Sequence, residues 1–202
     1  MNKCYIVGAG EFYGIKTPDA NDFVIAADGG YNHLTRHGVR CDLLIGDLDS
    51  IDGDLPDIET LRFPKRKDET DMFLAYREGV KRGYCEFEIY GATGGRADHT
   101  LANYSLLLYA KEAGHRVTLY DKTSAAFVIK NESISLTAKS GCGLSVFAFG
   151  GEARGVSIKG AEYEAHCVDL SPAFPLGVSN SYCDGEVVVS VSDGALLIIS
   201  EF

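Results

Sequence analysis

Residues 23–50, FVIAADGGYNHLTRHGVRCDLLIGDLDS, decide the fold. The apolar run Phe23–Ala27 reads as a buried strand that stops at an acid and two glycines, Asp28-Gly29-Gly30. YNHLTRHG (31–38) then reads as a short helix closed by Gly38. CDLLIGDLDS (41–50) returns to a strand, Leu43-Leu44-Ile45, ended by Gly46. Strand, helix and strand in that order make a parallel pair joined by a crossover. If the chain stays extended past Gly46, Asp47 and Asp49 point the same way, because side chains alternate with a period of two. Two carboxylates so placed repel unless a positive charge sits between them.

The same alternation continues on both sides. CYIV (4–7) is a strand followed by Gly8 and Gly10. KDETDMFLAYREGVKRG (67–83) reads as a helix, with Met72, Phe73, Tyr76 and Val80 on one apolar face and Gly83 as its stop. CEFEIYGATGG (85–95) is a strand running into a glycine loop. ADHTLANYSLLLYAKEAG (97–114) is a helix capped by Asp98 and ended by Gly114, and RVTLYD (116–121) is the last strand of this half. After Asp121 the 3.6-residue period disappears. AAFVIK, ESISL, GLSVFAF, VSIKG, EVVVSVS and ALLIIS are short β-rich runs separated by Gly- and Ser-containing turns, the pattern of a sandwich or barrel. The prediction is an α/β protein: a parallel-sheet α/β catalytic domain over residues 1–122, followed by an all-β sandwich or barrel domain over residues 123–202.

Composition narrows the partners. The chain is 46% hydrophobic and 24% charged, an ordinary globular balance long enough to bury a core. A net charge of −10 speaks against nucleic acid, which needs a basic footprint. An acidic chain that takes a polyphosphate needs a divalent cation between them. No apolar run approaches the roughly 20 residues that cross a bilayer, so no membrane partner is expected. MNKCYIVGAGEFYG is too short in apolar residues for a signal-peptide core, so a cytoplasmic protein is expected. The six cysteines form no C-x-x-C pair and read as reduced, several of them lying in apolar strands as small hydrophobes.

Open parallel sheets bind ligands beyond the carboxyl ends of their strands. Three strands here end alike: AADGG at Asp28, IGDLDS at Asp47 and Asp49, and YGATGGRADH leading to Asp98. DETD adds Asp68 and Asp71, three apart and therefore neighbours on a helix face. A single Asp is an ordinary turn or cap residue; its recurrence at four element ends points to a hard divalent cation, Mg²⁺, bridging carboxylates and phosphates. No G-x-x-x-x-G-K-[ST] occurs, and the third glycine of a G-x-G-x-x-G in GAGEFYG would fall on Tyr13, which weakens a dinucleotide reading. GATGGRADH is the better phosphate cradle: its glycines open backbone N–H groups, Arg96 offers a planar fork, and a helix N-terminus follows. Lys65, Arg66 and Lys67 supply further positive charge. His99 directly follows Asp98, so the two do not share a target, and both a structural and a catalytic His99 stay open. No Ser-His-Asp or Cys-His constellation is present.

AADGGYNHL, DLLIGDLDS, KDETD and GATGGRADHTLANYSLL, in this order and spacing, resemble the thiamin pyrophosphokinase family. KGAEYEA (159–165) resembles that family's glycine-aromatic strand and GVSNSY (177–182) its Gly-x-Ser-Asn turn. Two departures stand out. Tyr163 takes a place where many members carry Trp, and Leu74 one where some carry Lys, so that contact must come from elsewhere, with Lys65 to Lys67 as the source to hand. The resemblance implies an α/β catalytic domain with a β-sandwich, a homodimer, and transfer of the diphosphate of Mg·ATP to the hydroxyethyl oxygen of thiamin with release of AMP. It implies metal ligation and catalysis by Asp47, Asp49, Asp71 and Asp98. It places Asp28, Gly29, Gly30, Thr93, Gly94, Gly95 and Arg96 on the nucleotide side, and Tyr163, Ser179 and Asn180 against thiamin, near a dimer interface. Two rival readings share these motifs. One is a diphosphokinase acting on a pterin alcohol, against which the Ser179-Asn180 turn and the β domain argue. The other is a catalytically silent thiamin binder, which would have no use for a metal cluster.

Overall fold

The computed structural model describes residues 2–202. They form two compact units, one running to Leu106 with Gly114–Lys122, the other comprising Leu107–Ala113 with Thr123–Phe202.

In the first unit, β1 (Cys4–Val7), β2 (Phe23–Ala27), β3 (Leu43–Gly46), β4 (Glu59–Arg62), β5 (Glu86–Tyr90) and β6 (Arg116–Tyr120) align in the order β6-β5-β1-β2-β3-β4. Every pair is parallel. The central strands are apolar on both faces, as a sheet covered on both sides requires: β1 and β3 are buried at every residue. The edge strand β4 was not legible in the sequence, because Glu59-Thr60-Leu61-Arg62 has a single apolar residue and carries no period. One acid sits in the middle of the sheet. Glu88 of β5, 3% exposed, accepts from Lys3 Nζ at 2.7 Å and from the Tyr90 hydroxyl at 2.6 Å, so its charge is matched.

Three helices connect these strands: α1 (Gly30–Arg36), α2 (Asp71–Lys81) and α3 (Ala97–Glu112). The spacing reading starts α2 four residues too early. Thr70 is its cap, accepting from the Phe73 N–H at 3.2 Å, so Asp68 lies before the helix and does not share a helical face with Asp71. Gly83, at φ +90, ends that segment as expected. α3 starts at Ala97, which puts Asp98 inside its first turn rather than at the cap.

The second unit is antiparallel throughout. One sheet contains β7 (Ser124–Lys130), β14 (Ala195–Glu201), β9 (Gly143–Ala148) and β12 (Asn180–Ser181). The other contains β8 (Ser133–Leu136), β13 (Val187–Ser190), β10 (Ala153–Lys159) and β11 (Ala165–Leu170). Both contribute to one core, including Leu144, Val146 and Ile198 from the first sheet and Val156, Ile158 and Val189 from the second. This is the sandwich expected from the alternating runs. β11 was missed because its core-facing residues Ala165, Val168 and Leu170 do not alternate with period two, its pairing with β10 being irregular.

Candidate functional site

The strand order of the first unit reverses at β1: β2, β3 and β4 follow on one side, β5 and β6 on the other. The crevice of such a sheet lies beyond the carboxyl ends of the strands at this reversal, here β1 and β5. The chain keeps that crevice open with glycines. Past the strands the two loops still pair, with the N–H groups of Gly8, Gly10 and Glu11 donating to the carbonyls of Tyr90, Gly91 and Thr93, each at 2.8 Å. A Cβ on Gly10 would stand 2.3 Å from the Thr93 oxygen, so this close backbone pairing needs glycine there. The result is a cavity of about 320 Å³, lined by Gly8–Gly10, Asp28, Thr70–Met72, Gly91–Arg96, His99 and Asn103.

Asp28 is one of the residues that line this cavity. It follows β2 in a left-handed backbone, φ +49, which Asp tolerates better than most residues. Its Oδ1 is buried without a hydrogen-bond partner. Oxygens of Asp28, Asp47 and Asp49 lie within 4.8 Å of one another. Gly46 makes room for this: a Cβ there would stand 3.2 Å from Asp28 Oδ1. The extended-strand explanation for Asp47 and Asp49 is corrected by the structure. β3 stops at Gly46, Leu48 is left-handed at φ +69 with its side chain in the core, and Asp47 Oδ1 accepts the Asp49 N–H at 3.1 Å. The two carboxylates converge because they flank a turn, not because a strand alternates.

The positive charge demanded by that pair is supplied, in this structure, by Lys65. Its ammonium donates to Asp49 Oδ2 at 2.5 Å and, with the Ser50 hydroxyl at 3.0 Å on Oδ1, holds the Asp49 carboxyl below the usual carboxylate range. Lys67 lies 2.9 Å from Asp71 Oδ1, an ion pair by distance that lacks hydrogen-bond geometry. Three clustered carboxylates, one with an orphaned buried oxygen, fit a hard divalent cation.

The remaining predicted residues divide. Thr93, Gly94, Gly95, Arg96 and Asp71 line the cavity. Gly29 and Gly30 do not; they cap and open α1, and Gly30 packs beneath the Val7 carbonyl. Asp98, expected among the metal ligands, stands outside the carboxylate group in this structure. Its two oxygens accept from Arg96 Nε at 3.1 Å and Nη2 at 2.6 Å, which holds its carboxyl below the usual range. The Arg96 fork, read as a phosphate contact, is therefore engaged with its own neighbour. Asn103 was missed. Buried on α3, it donates through Nδ2 to the Ala92 carbonyl at 2.7 Å and so braces the glycine loop. A lone Asn in an apolar helix gave no signal.

In the second unit Tyr163, Ser179 and Asn180 line one cavity of about 790 Å³, walled largely by aliphatic residues such as Val156, Ile158, Val168 and Leu170. Tyr163 is 64% exposed, so it is no core aromatic. Ser179 has a left-handed backbone at φ +62, and its N–H donates to Ser145 Oγ at 3.2 Å. Glu164 and His166, with Oε2 and Nε2 3.6 Å apart, line the same cavity and were not singled out, since an exposed acid and histidine are common on any surface.

Comparison with known proteins gives consistent matches along the chain. The family model described as "Thiamin pyrophosphokinase, catalytic domain" matches residues 16–119, and that described as "Thiamin pyrophosphokinase, vitamin B1 binding domain" matches residues 131–196. The thiamine pyrophosphokinase of Bacillus subtilis is 24% identical over 192 residues, covering 90% of this chain and 88% of that protein. Among solved structures, a B. subtilis thiamine pyrophosphokinase superposes with a TM-score of 0.89 at 23% identity over 99% of both chains. One from Geobacillus thermodenitrificans gives 0.85 at 24% identity, over 99% of this chain and 97% of the other. With the catalytic-domain model alone spanning half of its length, the chain belongs to the thiamin pyrophosphokinase family.

Proposed function

We propose that the cavity beyond β1 and β5 takes Mg·ATP and the cavity of the β unit takes thiamin, so that the chain performs the family's reaction. In that reaction the hydroxyethyl oxygen of thiamin gives up its proton to solvent and bonds to the β-phosphorus of ATP. The bond from that phosphorus to the α–β bridging oxygen breaks, and AMP leaves. The observation that carries the proposal is the orphaned, buried Asp28 Oδ1 beside Asp47 and Asp49 at the edge of a glycine-lined cavity. Asp28, Asp47 and Asp49 would hold Mg²⁺, with Asp71 facing the same cavity; the ion supplies neutralisation of the phosphate charge.

The chain's own groups do the positioning on which diphosphoryl transfer depends. Gly91–Gly95 let backbone N–H groups approach the phosphates. Asp98 orients the Arg96 fork beside them, and Lys65, now held by Asp49, would be free to reach phosphate if Asp49 held a cation instead. On the β unit, the Tyr163 face suits the cationic thiazolium ring, and Glu164 adds negative charge to the same cavity. AMP release from ATP and Mg²⁺, required to depend on thiamin, tests the proposal. Release that depends instead on a hydroxymethylpterin, or none at all, refutes it.

If the Tyr163 ring contacts thiamin, Tyr163→Ala should raise the thiamin KM about two- to thirtyfold while the ATP KM moves little, as expected for removal of a cation–π interaction. Tyr163→Trp should keep or lower the thiamin KM. Equal changes for both substrates would show that Tyr163 does not touch thiamin.

A homodimer belongs to the same proposal. Tyr163, Phe174, Leu176 and Val178 are large apolar groups left exposed on the β unit, more than scattered surface residues need. Light scattering should show twice the 21.8 kDa chain mass at assay concentration; an active monomer would refute this. A cytoplasmic location is proposed too, in keeping with six free thiols, and fractionation of the source cells tests it. Among the described residues, no helix is long and apolar enough to cross a membrane.

A further inference from the structure

We propose that Asn180 serves thiamin binding by holding Tyr163 in place, as a positioning residue rather than a substrate contact; this rests on the thiamin reading of the β-unit cavity. The segment 161–163 leaves β10 and runs beside residues 180–182. Two backbone ties fix its base: a bridge between Ala161 and Tyr182, and the Glu162 N–H donating to the Ser181 carbonyl at 3.0 Å. One residue further, where the chains diverge, backbone pairing gives out. There the side chain of Asn180 takes over.

Asn180 Oδ1 accepts the Tyr163 N–H at 2.9 Å, and its Nδ2 donates to the Tyr163 carbonyl at 2.7 Å. The primary amide thus meets both polar groups of one residue, as a neighbouring peptide unit would in a ladder. The second lone pair of Oδ1 accepts the Ser181 N–H at 2.9 Å, so the oxygen is saturated. Asn180 is 6% exposed, whereas Tyr163 is 64% exposed. A buried amide spends its hydrogen bonds on the backbone of an exposed aromatic, which leaves it little to offer a ligand. The sequence reading of Asn180 as a thiamin contact is replaced by this role.

The physical consequence concerns entropy. An exposed ring on an untethered loop must be ordered when substrate arrives, and that cost reduces affinity. With both backbone groups of Tyr163 fixed, the ring is presented before binding. Aspartate cannot replace the amide: it keeps the oxygen acceptor but turns the Nδ2 donor into a second acceptor facing the Tyr163 carbonyl. It nonetheless conserves volume, so Asn180→Asp avoids the void that Asn180→Ala would leave beneath the loop.

The test is a double-mutant cycle read as the thiamin KM, with the ATP KM as internal reference and calorimetric thiamin binding as a second readout. Asn180→Asp and Tyr163→Ala should each raise the thiamin KM, about two- to thirtyfold for the ring. In the Tyr163→Ala background, Asn180→Asp should add no further change, because nothing is left to position. Multiplicative effects of the two substitutions would overturn the proposal and make Asn180 a direct contact. A normal thiamin KM in Asn180→Asp, with Tyr163→Ala impaired, would overturn it as well. A normal thiamin KM in Tyr163→Ala would instead remove the thiamin reading of Tyr163, and this proposal with it.

Discussion

Asp28→Asn, Asp47→Asn and Asp49→Asn are each expected to lower turnover by about 10³-fold or more, the scale on which a charge-neutralising group counts in phosphoryl transfer. Asparagine is the right probe because it leaves local geometry alone. At Asp28, with φ +49, it tolerates the left-handed backbone as well as aspartate does. At Asp47 it retains the oxygen that accepts the Asp49 N–H. What it removes is charge, and with it affinity for a divalent cation. The apo protein should be no less stable, since carboxylates within 4.8 Å of one another repel. The ion pair between Lys65 and Asp49 lies on the surface, where such pairs contribute little, so its weakening in Asp49→Asn should not offset that gain. Activity at saturating Mg²⁺ measures the first effect. A second readout needs no turnover: the rise in melting temperature that Mg²⁺ with ATP gives the parent should vanish in the variants. Near-normal turnover in two of the three would sink the assignment of this cluster.

Gly30→Ala should destabilise the α/β unit by about 3 kcal/mol or more, which for a chain of this size lowers Tm by roughly 6–12 °C. A Cβ at Gly30 would stand 1.9 Å from the Val7 carbonyl oxygen and 2.6 Å from its carbon. Both are backbone atoms of β1, a central strand buried at every residue, so no flexible side chain yields. Relief requires α1 to move away from the sheet, and α1 begins where Asp28 is held. Gly38→Ala makes the contrast. Gly38 is left-handed at φ +64 with nothing within 4 Å, so its cost is that of backbone conformation alone, about 1–2 kcal/mol. Thermal melts of the two variants decide the matter; equal, small losses would show that the Gly30 packing relaxes freely.

Much of this protein was determined by its sequence. Buried parallel strands must be apolar on both faces, and CYIV, FVIAA and DLLIG say so without any fold in view. The sandwich half announces itself through alternating runs for the same reason, burial on one face. The candidate aspartates and the glycine loop were legible because strand ends in such a sheet converge on one edge. Elements without a regular period stayed invisible: β4 is half-exposed and ordered by pairing with β3, and in β11 irregular pairing with β10 breaks the spacing of the residues that reach the core. Only the tertiary structure decided how the site is built. It turned Leu48 into the core and so brought Asp47 and Asp49 together around a turn, and it gathered Asp28 with them. It also engaged Arg96 with Asp98, and spent the amide of Asn180 on the backbone of Tyr163. A sequence pattern reports which face of an element is buried, whereas the partner of a polar group depends on the local turn of the backbone, as for Arg96 and Asp98 two positions apart, or on residues brought near by the fold, 17 positions away for Tyr163 and Asn180.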